Sequence, residues 1–460
     1  MSAGLSDNRP VVLKFGGTSV RDAEAMRRVV SIVEAERGRR PVVVTSACAG
    51  VTDALLNCAR LSGENRPREA TEIVAGLRAR HHAILEELGG EAMIYSDELA
   101  EMLDEIERLV HGVILLGEIT PRTTDLFASY GERLSSIPLT AAFHVAGWRA
   151  ARADSRCFII TDACHTDARP LMTEIGRRAP EILLPLLEQH EVVVAQGFIG
   201  STTEGVTTTI GRGGSDHTAA LVGGALHARE IQIWTDVSGI LTADPRAVQA
   251  AQVVPEVTFT EARELAFFGA KVIHPDTILP AVERDVPVVI RNSMRPDDPG
   301  TRILPDGTPM APGIHSITTR RGMTVLRLSP RHARDGVAAV EEALGLFAEH
   351  DVPLLSAQIV DSRAVTLVPA AAFHDILLAA LEARCRVEVE PEMAILCMAG
   401  AALRQAPGAL ARALQALEGI PLAFVTAGSS EHILLVGIPE QHVGDALTAV
   451  HRRLFEQVEV

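Results

Sequence analysis

Residues 11 to 20 read Val11-Val12-Leu13-Lys14-Phe15-Gly16-Gly17-Thr18-Ser19-Val20. An apolar run, a lysine, a glycine pair and two hydroxyl residues predict a short buried strand ending in a tight turn, and residues 22 to 37 continue as a helix. Such a strand, turn and helix start can offer backbone N–H groups to a phosphate, with a lysine beside them. The spacing is not that of a Walker P-loop, which places four residues between its glycines and a Gly-Lys pair after them. Taken alone, the stretch reads equally as a phosphate turn and as an ordinary strand-to-helix turn with a solvent lysine.

Working outward, apolar runs and helical periods alternate through the first 300 residues. Strands are predicted at 148–154, 157–161, 191–200 and 286–292, strands running into turns within 41–52 and 230–240, a turn entering a helix at 207–228, and helices over most of 66–118, at 125–146, 173–189, 259–270 and 275–284. This alternation predicts an α/β fold with a mainly parallel sheet sandwiched by helices, whose ligands sit beyond the carboxyl ends of the strands. Residues 295–313 are rich in Pro, Gly and Asp and mark a boundary. Beyond it the pattern is β-α-β-β-α-β and most of a second copy, a tandem ferredoxin-like α+β pair. The expected domains are 1–300, 316–390 and 391–460.

The 460 residues are 47% hydrophobic and 22% charged, enough for two or three domains with real cores. A net charge of −16 without a Lys/Arg block argues against nucleic acid or an anionic membrane as partner. No apolar run approaches a membrane span, and the N-terminus MSAGLSDNRP has no signal-peptide core, so a cytosolic protein is expected. The six cysteines are scattered and no C-x-x-C pair occurs, so no metal site is expected and reduced thiols are. His81-His82 reads as a solvent-facing part of a polar helix.

Four further stretches could carry chemistry. In Thr207–Asp216, three glycines surround Arg212, which can fork onto a carboxylate or phosphate. Ser215 and Asp216 sit where a helix N-cap belongs, but a capped turn alone does not account for Gly211, Gly213 and Gly214. Thr235-Asp236 ends a strand as a nucleotide edge would, with Arg246 following. Lys271 and Val272 lie between glycine and proline punctuation, and Ser129-Tyr130-Gly131-Glu132 lies in or at the start of a helix. Two lysines suit a polyphosphate and an arginine suits a carboxylate, so residue chemistry alone reaches a carboxylate-binding kinase and stops there.

Lys14-Phe15-Gly16-Gly17-Thr18-Ser19 resembles the aspartokinase signature of the amino acid kinase superfamily. The likeness continues through SACAGVT (46–52), SYGERLS (129–135), QGFIG (196–200), TTTIGRGGSDHTAA (207–220), WTDVSGILTADPR (234–246) and FGAKVIHP (268–275), and the C-terminal pair resembles tandem ACT domains. It implies transfer of the ATP γ-phosphoryl group to the side-chain carboxylate of L-aspartate, the first step toward lysine, threonine and methionine. Within the family, the chain is most similar to the monofunctional, lysine-sensitive type.

The resemblance also implies roles. Lys14, Asp216 and Lys271 would be catalytic, with Gly16 and Gly17 admitting the phosphates. Arg212 would clamp the aspartate α-carboxylate and Glu132 its ammonium, with Ser46, Ala47, Thr52 and Ser215 lining that site. Thr235, Asp236, Arg246, Lys271 and Val272 would hold the nucleotide, and Mg2+ would bridge its phosphates. ACT domains of this family imply at least a homodimer.

Three residues depart from the pattern: Leu241 where a tyrosine is common, Cys48 in place of a serine, and Leu355 near the position of an aspartate in lysine-binding relatives. An ammonium buried without that carboxylate is poorly compensated, so weak or absent lysine inhibition is expected. Two rival readings stay open here, a kinase of an N-acylated amino acid and a non-catalytic amino-acid sensor. The first would not want Glu132, and the second would not need Lys14, Arg212, Asp216 and Lys271.

Overall fold

The computed structural model describes residues 8–456, apart from 212, 271–272, 333–335 and 429. The chain divides into two compact units. One runs to Gly239 and returns through Pro305, and the other takes the segment from Ile240 together with everything from Asp306 on. The Pro/Gly/Asp-rich stretch alone would put 240–270 in the N-terminal half. That segment instead packs in the second unit, because Ala243 and Val248 enter the unit's apolar core.

In chain order the first unit contains β1 (Val11–Phe15), α1 (Ala23–Glu34), β2 (Pro41–Thr45), α2 (Val51–Gly63), α3 (Pro67–Leu88), α4 (Ser96–Leu116), α5 (Pro121–Val145), β3 (Ala150–Ala153), α6 (Met172–Gln189), β4 (Val192–Gln196), β5 (Ile199–Ser201), β6 (Thr207–Thr209), α7 (Gly214–Ala225) and β7 (Glu230–Thr235). The second unit claims β8 (Glu256–Thr258) and α8 (Phe259–Phe267), and the first resumes with α9 (Leu279–Val282), β9 (Val288–Asn292) and β10 (Thr301–Leu304). The first unit's strands run β3-β4-β2-β1-β7-β9-β10. All neighbours are parallel except β10, which is antiparallel to β9. The opening strand is therefore central, with β2 on one side and β7 on the other, and its Val11, Val12, Leu13 and Phe15 are fully buried. A strand covered on both faces reads as a continuous apolar run, which is how residues 11 to 13 read.

Local departures from expectation have identifiable causes. CFIIT forms only bridges, Ile160 to Ser201 and Thr161 to Pro170, rather than a strand. The predicted helix over 275–284 is a 3-10 turn at Pro275–Ile278 leading into α9. His81 faces inward, not outward. It shares the apolar stripe of α3 with Val74, Leu77 and Ile84, its Nδ1 lies 2.8 Å from the Leu77 carbonyl, and burial pushes its pKa down to about 4. Helix α5 is buried on nearly every side from Phe127 to Phe143, so its polar residues face protein rather than water.

The second unit adds β11 (Gly313–Pro330), α10 (Gly336–Glu349), β12 (Ser356–Val360), β13 (Arg363–Pro369), α11 (Asp375–Arg384), β14 (Cys385–Ala401), α12 (Pro407–Gln415), β15 (Phe424–Ala427), β16 (Ile433–Pro439) and α13 (Val443–His451). Its sheet runs β12-β13-β11-β14-β16-β15. β11 and β14 are long enough to serve both ferredoxin-like copies. Met323–Leu328 of β11 pair with β13, while Gly313–Arg320 pair with the second half of β14. The strand that the second copy lacks in sequence order is thus supplied from before the first copy. Each copy has its own apolar core, one around Leu326, Val340 and Leu381, the other around Leu396, Leu434 and Leu447. Among the described residues no helix is long and apolar enough to cross a membrane.

Candidate active site

β1 delivers Lys14 to the carboxyl edge of the sheet. Its Nζ lies 2.6 Å from Oδ1 of Asp216 in the first turn of α7, and both side chains are largely shielded from solvent. α7 begins at Gly214 with Gly213 as its N-cap, in the left-handed region at φ +70°. Ser215 and Asp216 are therefore inside the helix rather than at its cap. A first-turn carboxylate interacts favourably with the helix N-terminus, which suits Asp216 to its place beside the lysine. The turn after β1 packs so closely on the next loop that a Cβ on Gly17 would lie 2.7 Å from the Ala47 carbonyl oxygen. Ser46 donates its hydroxyl to Ser215 Oγ at 3.0 Å, which joins the loop after β2 to the first turn of α7.

Glu132 enters from α5. It is 3% exposed, its Oε1 accepts the Ala47 N–H at 3.1 Å, and its Oε2 is buried with no hydrogen-bond partner among the described residues. Burial pushes its pKa up to about 8, against the smaller opposing effect of the Ala47 hydrogen bond. An orphaned buried carboxylate oxygen needs a donor, and a cationic one would return the group to its charged form.

These groups converge on one cavity of about 440 Å³ lined by Lys14, Gly17, Ser46, Ala47, Thr52, Glu132, Ser215 and Asp216, together with Phe198 and Gly211. Gly16 lies just behind, its Cβ position 3.8 Å from the lysine nitrogen. Thr235 and Asp236 end the neighbouring strand and hydrogen-bond each other at 3.2 Å, outside the cavity wall. Arg246 belongs to the second unit, where its guanidinium pairs with Asp244 at 2.7 Å. Arg212, Lys271 and Val272 lie outside the described residues.

Asp53, in the cavity wall beside Thr52, escaped the sequence reading, as did Phe198 and Asp125. Phe198 stands in the cavity wall with φ +66°, a conformation that bulky residues seldom adopt and that marks a locally over-determined site. Asp125, seven residues before Glu132 on the same face of α5, is also buried. Its Oδ1 accepts from Thr209 Oγ1 at 2.6 Å and from the Thr166 N–H at 3.0 Å, and its Oδ2 lies 2.7 Å from Nδ1 of His165. This ties α5 to β6 and to the 162–170 loop. The same loop supports the glycine turn, because a Cβ on Gly211 would lie 2.4 Å from Asp167 Oδ1. An acid two helical turns from another acid was the available signal.

The fold, the Lys14–Asp216 pair and the buried Glu132 define an α/β protein with a site for a small charged molecule at the carboxyl edge of its sheet. A model of the amino acid kinase family matches residues 9–292, and an ACT domain model matches residues 396–454. The chain is 36% identical to lysine-sensitive aspartokinase 3 of Escherichia coli, over 97% of this chain and 99% of that protein. It is similar to the E. coli aspartokinase III structure with aspartate and ADP (35% identity, TM-score 0.75, 97% of this chain and 100% of that one). It is also similar to the structure of that enzyme with lysine and aspartate (35%, TM-score 0.80, 97% and 99%). The chain belongs to the amino acid kinase family and, within it, to the aspartokinases.

Proposed function

We propose that the cavity transfers the γ-phosphoryl group of ATP to the side-chain carboxylate of L-aspartate, and that its residues divide the work by charge. The observation that carries this reading is the orphaned Glu132 oxygen facing the same cavity as the Lys14–Asp216 pair. One end supplies a cation for a polyanion, and the other supplies a buried acceptor for an ammonium. Lys14 neutralises charge on the moving phosphoryl group, and Asp216 keeps its ammonium aimed along the edge of the sheet. Glu132 receives the aspartate ammonium, Arg212 its α-carboxylate, and Ser46, Ala47, Thr52 and Ser215 line the space between, so the side-chain carboxylate is left to attack. Lys271, Val272, Thr235, Asp236 and Arg246 are assigned to the nucleotide. Magnesium fits as an ion carried mainly by the phosphates, with Asp216, beside Lys14 in the cavity wall, as a carboxylate that would face it. When bound it supplies neutralisation of phosphate charge.

The test is a hydroxamate assay with ATP and L-aspartate beside N-acetylglutamate. Aspartate-dependent acyl phosphate is the expected product, and preference for the acylated substrate would overturn the role of Glu132. A second proposal concerns regulation. Leu355 offers no carboxylate where lysine-binding relatives have one, so lysine inhibits weakly or not at all. A submillimolar inhibition constant in a steady-state assay would contradict this. The C-terminal copies are proposed to carry homo-oligomer contacts, and the enzyme to work in the cytosol.

A further inference from the structure

Two hydroxyl residues follow the glycine pair of the opening turn, and neither takes part in the chemistry proposed for Lys14. Thr18 is exposed, but Ser19 is buried in a short 3-10 turn (Gly17–Val20). A buried hydroxyl needs a partner. Ser19 finds one 274 residues away in sequence, donating to Ser293 Oγ at 2.8 Å. Ser293 is equally buried and donates in turn to the Thr235 carbonyl at 3.1 Å.

The sheet order makes this reach possible. β1, β7 and β9 are adjacent and parallel, and their carboxyl ends finish together, with Phe15 opposite Trp234 and Thr235 opposite Asn292. The chain after β1 bonds back to β7 through the Gly16 N–H and the Trp234 carbonyl at 3.3 Å, and the chain after β9 does so through the Ser293 N–H and the Thr235 carbonyl at 2.8 Å. The two hydroxyls close the remaining gap across the end of β7. The far side of that gap is firmly built. Asn292 Nδ2 donates to Ser238 Oγ at 3.1 Å, and its Oδ1 accepts the Met294 N–H at 2.8 Å. Ser238 also accepts from Arg295 at 2.9 Å and donates to Asp298 at 2.5 Å, so the hydroxyl uses its full hydrogen-bonding capacity. The turn after β7 and the loop after β9 therefore form one piece, and Ser19 ties that piece to the turn beside Lys14.

We infer that Ser19 and Ser293 are positioning residues for the nucleotide, holding the turn that meets its phosphates in register with the end of β7 that meets its nucleoside. The inference rests on the nucleotide assignment proposed above. A triphosphate lies along both pieces and gains from their fixed spacing. The acceptor side of the same turn is held separately, by the Ala49 N–H on the Gly17 carbonyl at 3.0 Å, which the serine pair does not touch.

The experiment compares Ser19→Ala, Ser293→Ala and the double variant with the wild type, by calorimetric titration with the magnesium complex of the non-hydrolysable analogue AMP-PNP and by steady-state kinetics. Ser293→Ala should weaken the analogue about fivefold and raise KM for ATP to match, the scale of one lost hydrogen bond, while KM for aspartate stays within about twofold. Ser19→Ala should behave alike. The double variant should be no weaker than the poorer single one, because both changes cut the same link. Analogue binding unchanged in both single variants, or losses that multiply in the double variant, would overturn the inference. So would equal rises in KM for ATP and for aspartate, which mark a general loosening of the fold, or a wild type that does not bind the analogue. A wild type that binds the analogue but phosphorylates no aspartate would sink the proposed function, and the binding comparison would still decide this inference.

Discussion

In the first unit Lys14, Asp216 and Glu132 meet at one cavity, whereas the second unit's two large clusters, around Leu326 and Leu396, are built on aliphatic side chains, and polar groups buried beside them, such as Thr366 and His451, are hydrogen-bonded. The opposite pattern would be hard to sustain, because buried charge without a partner is expensive while apolar burial is broadly tolerant of exchange. A site that handles charged substrates must fix residue type at each position, and a scaffold need only keep volume and periodicity. The difference therefore predicts where substitution should change chemistry and where it should change only stability.

The largest break should come at Lys14. Lys14→Ala removes the cation nearest the proposed phosphoryl path and leaves Asp216 unpaired, and kcat should fall about a thousandfold, as for loss of a key charge-stabilising donor. Circular dichroism should be unchanged, since the strand itself is held by apolar neighbours. Near-normal turnover would remove the charged end of the site from the comparison.

Next is Glu132. Glu132→Gln should raise KM for aspartate about ten- to a hundredfold, with little change in KM for ATP. The pH dependence sharpens this. The free carboxyl, raised to about 8 by burial, is mostly protonated at pH 7, and a bound ammonium favours its ionised form. Binding therefore releases a proton, and KM for aspartate should fall as pH rises from 6 to 8, then level off. The Gln variant should lose that slope. Stability runs the other way. The folded state holds this proton more tightly than the unfolded one, so stability falls as pH rises from the ordinary carboxylate range through about 8. Thermal melts of the wild type against the variant across that window should diverge most at the alkaline end.

How much of this was legible follows the same division. Lys14-Phe15-Gly16-Gly17 could be read because a strand buried on both faces leaves an apolar run, and a glycine pressed on the Ala47 carbonyl cannot be replaced without displacing backbone. Glu132 was legible from the residues only as one candidate acid, and its role came through the resemblance, since nothing local distinguishes a buried helix acid from a solvated one. Asp125 was missed for the same reason, and His81 was misjudged because a histidine can replace a leucine on a helix stripe once its nitrogen reaches a carbonyl. The boundary at 295–313 could not show that residues 240–270 pack with the later unit, because interleaved segments leave no mark in composition. Nor could sequence order show that Gly313–Arg320 completes the second ferredoxin-like copy.

A smaller effect is expected at Asp125, which touches no proposed substrate atom but ties α5 to the loop under the glycine turn. Asp125→Ala should raise KM for aspartate about fivefold, in line with loss of positioning hydrogen bonds, with kcat reduced less. If kcat fell as far as in Lys14→Ala, Asp125 would belong with the charged machinery rather than behind it.

The smallest effect on chemistry should come from the apolar side of the comparison. Leu396 is fully buried at the centre of the second copy's core, on the strand that pairs with both β11 and β16. Leu396→Ala should reduce stability by about 2–5 kcal/mol through the lost transfer energy and the cavity left behind. Turnover at saturating substrate and 25 °C should stay within about twofold, provided the protein remains folded at the assay temperature. Denaturant unfolding and steady-state rates on the same preparation check both halves. Lost stability with intact turnover is what a volume-conserving scaffold predicts. A matching drop in turnover without unfolding would mean that this core sets the geometry of the charged site, and the two units could no longer be treated as separate kinds of structure.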